Sequence, residues 1–225
     1  MTFALAARCQ RTGMLGAAVA TSSLAVGSRC VFARAGTGVV LTQHRTDPRL
    51  GPIGLEFLAA GKTAPQTVDA LVASTPHHGW RQLAVVDNAG RTAHFSGKLI
   101  ASLHAGVTGD GVVAVGNLLK TNEVPAAMLR DFMQRPGRPL AERLVGALAA
   151  GLAAGGENEP VRSAALLVVH QQSFPYVDLR VDDDTAPIER LESLWRAYAP
   201  EADDFVQRAV APDDAPSFGA ADRAP

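Results

Sequence analysis

The chain has 225 residues, 47% of them hydrophobic and 19% charged, with a formal net charge of -1. These values describe a soluble globular chain able to bury one good core, with Lys and Arg too scattered to form the electrostatic footprint of a nucleic-acid or anionic-membrane binder. No stretch has the length of a membrane span, so a small-molecule partner is expected, with no nucleic acid and no membrane.

From Thr2 to Ala7 large and small residues alternate, which predicts a strand with Phe3, Leu5 and Ala7 on one face and Thr2, Ala4 and Ala6 on the other. CQRTG turns the chain and MLGAAVAT returns as a second strand of small residues, leaving room beside Thr2. Arg8 and Arg11 ahead of MLGAAVATSSLAVG imitate a secretory signal peptide. Thr21, Ser22 and Ser23 interrupt that apolar run, and it lacks leucine density. Cys9 and Cys30 match no metal spacing, and a chain of this size does not need a disulfide, so both read as reduced thiols of a cytoplasmic protein.

VFARAG and GVVLTQ predict two further strands whose apolar runs suggest burial on both faces. PIGLEFLAAG predicts a short helix ending at Gly61. TAPQTVDALVAS predicts another, with Thr63 and Gln66 as a capping box and Pro65 in its first turn. RQLAVV, the turn DNAG and RTAHFSG predict a hairpin, and GVVAVGN a strand ending at Asn117. EVPAAMLRDFMQ and PLAERLVGALAAGLAAG are helical in pattern, SAALLVVH and YVDLRVDD are strands, and PIERLESLWRAYA and a short segment to Val210 come last. Residues 1–210 read as one domain and 211–225, rich in Pro, Ala and Asp, as a disordered tail. Runs of strands alternating with pairs of helices favour an antiparallel α+β layering over a parallel winding.

Thr2 follows Met1 with a small side chain, the kind that methionine removal permits. Removal would free an α-amine whose ordinary pKa of ~7.7 to 8.0 lets it serve as base to its own hydroxyl. Position alone does not separate this from an ordinary strand threonine. MTFALAAR, GMLGAAVATSSLAVG, FARAGTGVVLTQ, DPRLGPIGLEFLAAG, RQLAVVDNAGRTAHFSG, VGNLL, PLAERLVGALAAGLAAGG, SAALLVV and YVDLRVDD together resemble an uncharacterised bacterial family classed with the N-terminal-nucleophile (Ntn) hydrolases. The resemblance runs from Thr2 to about Asp183. It implies a four-layer αββα sandwich of two antiparallel sheets, with the first residue of the mature chain at a strand end attacking an amide carbonyl. Thr2 and Phe3 fit the family's opening, while Ala4 stands where a serine is common.

Further site candidates follow from the matched blocks. Asn117 is either an amide donor to a tetrahedral oxyanion or a turn residue satisfying its own loop. Ser22 and Ser23 either orient the α-amine or are ordinary structural serines. Gln43 and His44 end the GVVLTQ strand at the expected pocket mouth. Arg34 and Arg8 either hold a substrate carboxylate or form ion pairs with Asp178 or Asp182. His77, His78, His94 and His104 lack ligand spacing, and the glycines of AGTG and TGDG lack the dinucleotide fingerprint, so no metal and no cofactor are expected.

The leading expectation is an Ntn-type hydrolase of a C-N bond in a small amide, with or without a carboxylate, assembled as a homodimer or higher homo-oligomer. Two alternatives stand beside it: a non-catalytic binding or assembly module that retains Met1, and a deaminase of a small catabolic intermediate.

Overall fold

The computed structural model describes residues 2–217; Met1 and residues 218–225, part of the tail expected to be disordered, lie outside the described residues. Strand β1 (Thr2–Arg8) alternates as its sequence predicts. Phe3, Leu5 and Ala7 pack on one side of its sheet, Ala4 and Ala6 on the other. Its neighbours are β2 (Leu15–Thr21) and β8 (Val112–Asn117), and the sheet is completed by β7 (His104–Gly109), β9 (Ser163–Val169) and β10 (Val177–Val181). The order is β10-β9-β2-β1-β8-β7, every pairing antiparallel, with β1 inside the sheet. A second antiparallel sheet runs β3 (Val31–Arg34), β4 (Gly38–His44), β5 (Arg81–Asp87) and β6 (Thr92–Ser96).

The sheets meet through small and branched side chains: Ala4, Ala6, Ala17 and Val19 from the first face Val39, Leu41, Ala84 and Val86 from the second. On the outer face of the larger sheet, α3 (Glu123–Gln134), α4 (Leu140–Ala153) and α5 (Pro187–Tyr198) bury Met128, Phe132, Leu144, Leu148, Leu191 and Trp195 against Phe3 and Leu5. On the outer face of the smaller sheet, α1 (Leu50–Ala59) and α2 (Ala64–Ser74) bury Leu55, Leu58, Val68 and Leu71 against Val40, Leu83 and Val85. The result is the expected αββα layering. A further helix, α6 (Ala202–Val210), follows α5, and the tail begins in a turn at Pro212–Asp214.

The local signals act as predicted in α2, where Thr63 accepts from the Gln66 backbone and Gln66 returns a bond to the Thr63 backbone. Helix α1 starts at Leu50, ahead of the expected Pro52, because Asp47 accepts from the Arg49 backbone N–H and begins the turn early. Strand β3 is corrected from doubly buried to an edge strand: Phe32 and Ala33 are half-buried and Arg34 is exposed. Strand β7 carries no clear pattern in HAGVTG because Gly106 occupies a face position where a Cβ would lie 2.7 Å from the His94 ring.

Gly16 shows how closely the layers approach. A Cβ there would sit 2.7 Å from the Leu167 carbonyl oxygen and 3.1 Å from Leu144 of α4, and a backbone carbonyl has no room to retreat. Gly16→Ala is therefore expected to destabilise the chain by roughly 1–3 kcal/mol, read as a lower denaturation midpoint with an unchanged m-value. An unchanged midpoint would show that the strands are not held at this spacing.

Candidate functional site

Three strand ends converge where β1 begins. Thr2 pairs with Asn117 of β8, and Phe3 pairs with Ala20 of β2, which brings Thr21 beside Thr2. By alternation from Ala4, Val19 and Val115, the Thr2, Thr21 and Asn117 side chains all project between the two sheets. Thr2 is 5% exposed, and its hydroxyl lies 3.4 Å from the Thr21 hydroxyl.

The facing sheet meets them with two glutamines, Gln43 and Gln82, themselves a cross-strand pair. The Gln82 Nε2 donates to the Gly116 carbonyl at 3.0 Å, the Ser96 hydroxyl at 3.0 Å and, more weakly, the Ala105 carbonyl at 3.3 Å. Backbone carbonyls accept only, so this end of the Gln82 amide must be its nitrogen. Its Oε1 therefore faces the other way, where it accepts from Gln43 Nε2 at 2.7 Å and Asn117 Nδ2 at 2.9 Å. One amide sets the orientation of two others. As a consequence Asn117 Oδ1 and Gln43 Oε1 are buried without a hydrogen-bond partner among the described residues. Buried polar atoms are normally satisfied, so these orphaned acceptors single out this strand end as a candidate site.

A buried acid lies close by. After α4 the chain turns through Gly155 and Gly156, both at positive φ, and Glu157 forms an isolated bridge with Leu119, two residues past Asn117. Ser22, one residue past Thr21, lies against the carboxyl group. Glu157 is 2% exposed, and neither carboxylate oxygen has a partner of hydrogen-bond geometry among the described residues. Burial is the main cause that pushes its pKa up to about 7, against the opposing pull of Ser22.

The other expected residues divide by position. Gln43 is in the cluster. His44 ends the same strand with φ at 71°, its Nδ1 2.9 Å from the Trp80 carbonyl and its ring stacked on Trp80, and burial lowers its pKa. Ser22 is half-buried against Glu157, whereas Ser23 is exposed and contributes its carbonyl to the Ser163 hydroxyl at 2.6 Å, which ties the loop after β2 to β9. Arg34 is not brought to Thr2. It lies at the Gly38 end of the smaller sheet, opposite the Gln43 end, with its guanidinium on Glu56 at 2.6 Å. Arg8 occupies the far end of β1, on the wall of a cavity of about 400 Å³ shared with Cys9 and Arg143. The expected partners of these arginines are also elsewhere: Asp182 pairs with Arg180 at 2.8 Å on an exposed strand face.

Sequence reasoning passed over Thr21, Gln82 and Glu157. Gln82 had a signal, a lone amide in the apolar run RQLAVV; Glu157 had a weaker one, an acid directly after two glycines. Among the described residues no group of three or more His, Cys, Asp or Glu is placed to hold a metal ion, and no helix is long and apolar enough to cross a membrane.

The layers and the polar cluster together define a class of protein: an α+β sandwich whose first strand starts in a buried, hydroxyl- and amide-lined strand end. The chain belongs to the family of unknown function DUF1028, whose model matches residues 2–191. It is similar to a crystal structure of a DUF1028 protein from Silicibacter pomeroyi, at 32% identity and a TM-score of 0.82, over 88% of this chain and 89% of that one. Anbu, the ancestral β-subunit from Yersinia bercovieri, aligns at 11% identity and a TM-score of 0.36, over 91% of this chain and 97% of that one. None of the curated proteins matches the chain.

Two outcomes are expected from the cluster. Gln82→Leu strands the amides of Asn117 and Gln43 and the Gly116 carbonyl, and should lower stability by about 2–4 kcal/mol in denaturant unfolding. A loss below about half a kcal/mol would mean that the amides find other partners. For Glu157 the sign is reversed. An unfolded glutamate loses its proton near ~4.3, whereas the folded one keeps it up to about 7, so the folded chain binds the extra proton between those values and loses stability as pH rises across them. Glu157→Gln in the Met1-bearing chain should raise stability at pH 8 by on the order of 1–3 kcal/mol and by much less at pH 4.5. Equal effects at both pH values would contradict the raised pKa.

Proposed function

We propose that the chain is an N-terminal-nucleophile amidohydrolase in which Thr2, exposed by loss of Met1, cleaves a C-N bond of a small amide. The observation that carries this reading is the placement of the Thr2 hydroxyl. It sits buried at the start of a central strand, beside the Thr21 hydroxyl and next to an Asn117 amide held in one orientation by Gln82. Such a fixed polar surround is what a nucleophile needs if charge is to develop there without reorganisation.

In the proposed reaction the Thr2 Oγ attacks the carbonyl carbon while its proton passes to the neutral Thr2 α-amine. The tetrahedral oxyanion takes the second Nδ2 hydrogen of Asn117, the first being committed to Gln82 Oε1. The C-N bond then breaks as the α-ammonium returns the proton to the departing amine, leaving an ester on Thr2. Water, deprotonated by the same amine, attacks the ester carbonyl and releases the acid and the free hydroxyl. Because Arg34 and Arg8 lie at the far end of the sandwich, a carboxylate on the substrate has no basis in either residue.

The test is intact mass of the mature chain, beginning at Thr2, after incubation with a β-lactone. One acyl group should map to Thr2, and Thr2→Ala should take up none and lose amide hydrolysis by about a thousandfold or more. No adduct on Thr2, together with undiminished hydrolysis by Thr2→Ala, would leave the fold without this chemistry.

A further inference from the structure

Glu157 has no part in the reaction as described above, yet its place in the fold is specific. Strand β1 begins at Thr2, level with the ends of β2 at Thr21 and β8 at Asn117, and the chain continues past those two ends into Ser22 on one side and into Leu118 and Leu119 on the other. Glu157 touches both continuations, bridging Leu119 and lying against Ser22, and the next residue, Asn158, donates its backbone N–H to the Leu118 carbonyl at 3.0 Å. Gly156, just before it, approaches the Phe3 ring. The segment therefore crosses in front of the open end of β1, and its carboxylate lies ahead of the point where the strand starts. A carboxylate buried with only Ser22 beside it is costly, and a positively charged donor would offset that cost.

We propose that Glu157 is a positioning residue whose carboxylate receives the α-amine of Thr2 once Met1 has been removed. This rests on Met1 removal, as the proposed function does. The carboxylate holds the amine beside the Thr2 hydroxyl and stabilises the ammonium that forms when the hydroxyl proton arrives. After the amine returns that proton, the carboxylate keeps it in place for the second half of the reaction. No other described acid takes this position. The titratable groups that bear on Glu157 and on His44 at the end of β4 are Glu159, Arg45 and His104.

The experiment reads the amine directly, independently of catalysis. In the mature chain, trace acetylation of the Thr2 α-amine by acetic anhydride is followed against pH by mass spectrometry of the N-terminal peptide. The carboxylate should place the amine pKa above the ordinary ~7.7 to 8.0, and Glu157→Gln should lower it by about one pH unit, so that acetylation at pH 7 speeds up roughly tenfold. Glu157→Asp, which keeps the charge on a shorter arm, should fall between them and guards against a Gln variant that does not fold. The same amine pKa in the wild type and in whichever variant folds would overturn the proposal. Thr2→Ala separates the two readings, because that variant loses the hydroxyl and keeps an α-amine. A response to Glu157 in that background, with no acylation of Thr2 in the wild type, would retain the positioning contact and remove the nucleophile. Acylation of Thr2 with an amine indifferent to Glu157 would do the reverse.

Discussion

One carboxamide joins the two sheets where the first strand begins. Gln82 donates across the gap to the Gly116 carbonyl of the opposite sheet, and its oxygen collects the amides of Asn117 and Gln43. The gap is narrow because the facing positions of β1 and β2 are alanines and valines, so a glutamine can span it with its side chain alone. Everything polar at this end takes its orientation from that span. The amide nitrogens must face Gln82, and the oxygens of Asn117 and Gln43 must face away from it. The same apolar packing that holds the sheets together elsewhere would leave Thr2 as an unremarkable strand residue.

Charge at the site follows from burial and not from a paired cation. The arginines expected to hold a carboxylate stand at the other end of the sandwich, Arg34 on Glu56 and Arg8 beside a separate cavity. What lies near Thr2 is an acid, Glu157, too buried to ionise as an ordinary glutamate. A nucleophile that uses its own amine as base alternates between neutral and positive states, and an acid at this place follows that alternation where an arginine would oppose it.

Much of this fold was legible in the sequence because local signals and periodicity agree with the tertiary structure. The alternation in TFALAA names the two faces of β1, and the Thr63–Gln66 capping box starts α2 at the expected residue. Two of the edge strands were not legible as such: β7 hides behind the glycine that lets His94 approach, and β3 looks doubly buried. Of the polar cluster, Thr2, Ser22, Gln43 and Asn117 were visible as candidates on or beside the matched strand ends. Gln82 and Glu157 were not, since each acquires its meaning from a partner 35 or more positions away, Asn117 for one and Leu119 for the other. Arg34 looked functional because charge type is visible in a sequence, whereas the end of the strand on which it falls is not.

The account stands on the identity of the first residue in the working protein. Intact mass and N-terminal peptide mass of the chain purified from its native host measure this directly. The account predicts a chain that begins at Thr2 with an unmodified α-amine. A chain that retains Met1, or carries a blocked Thr2 amine, would contradict it, because the hydroxyl would then have no base of its own and the buried carboxylate no amine to hold.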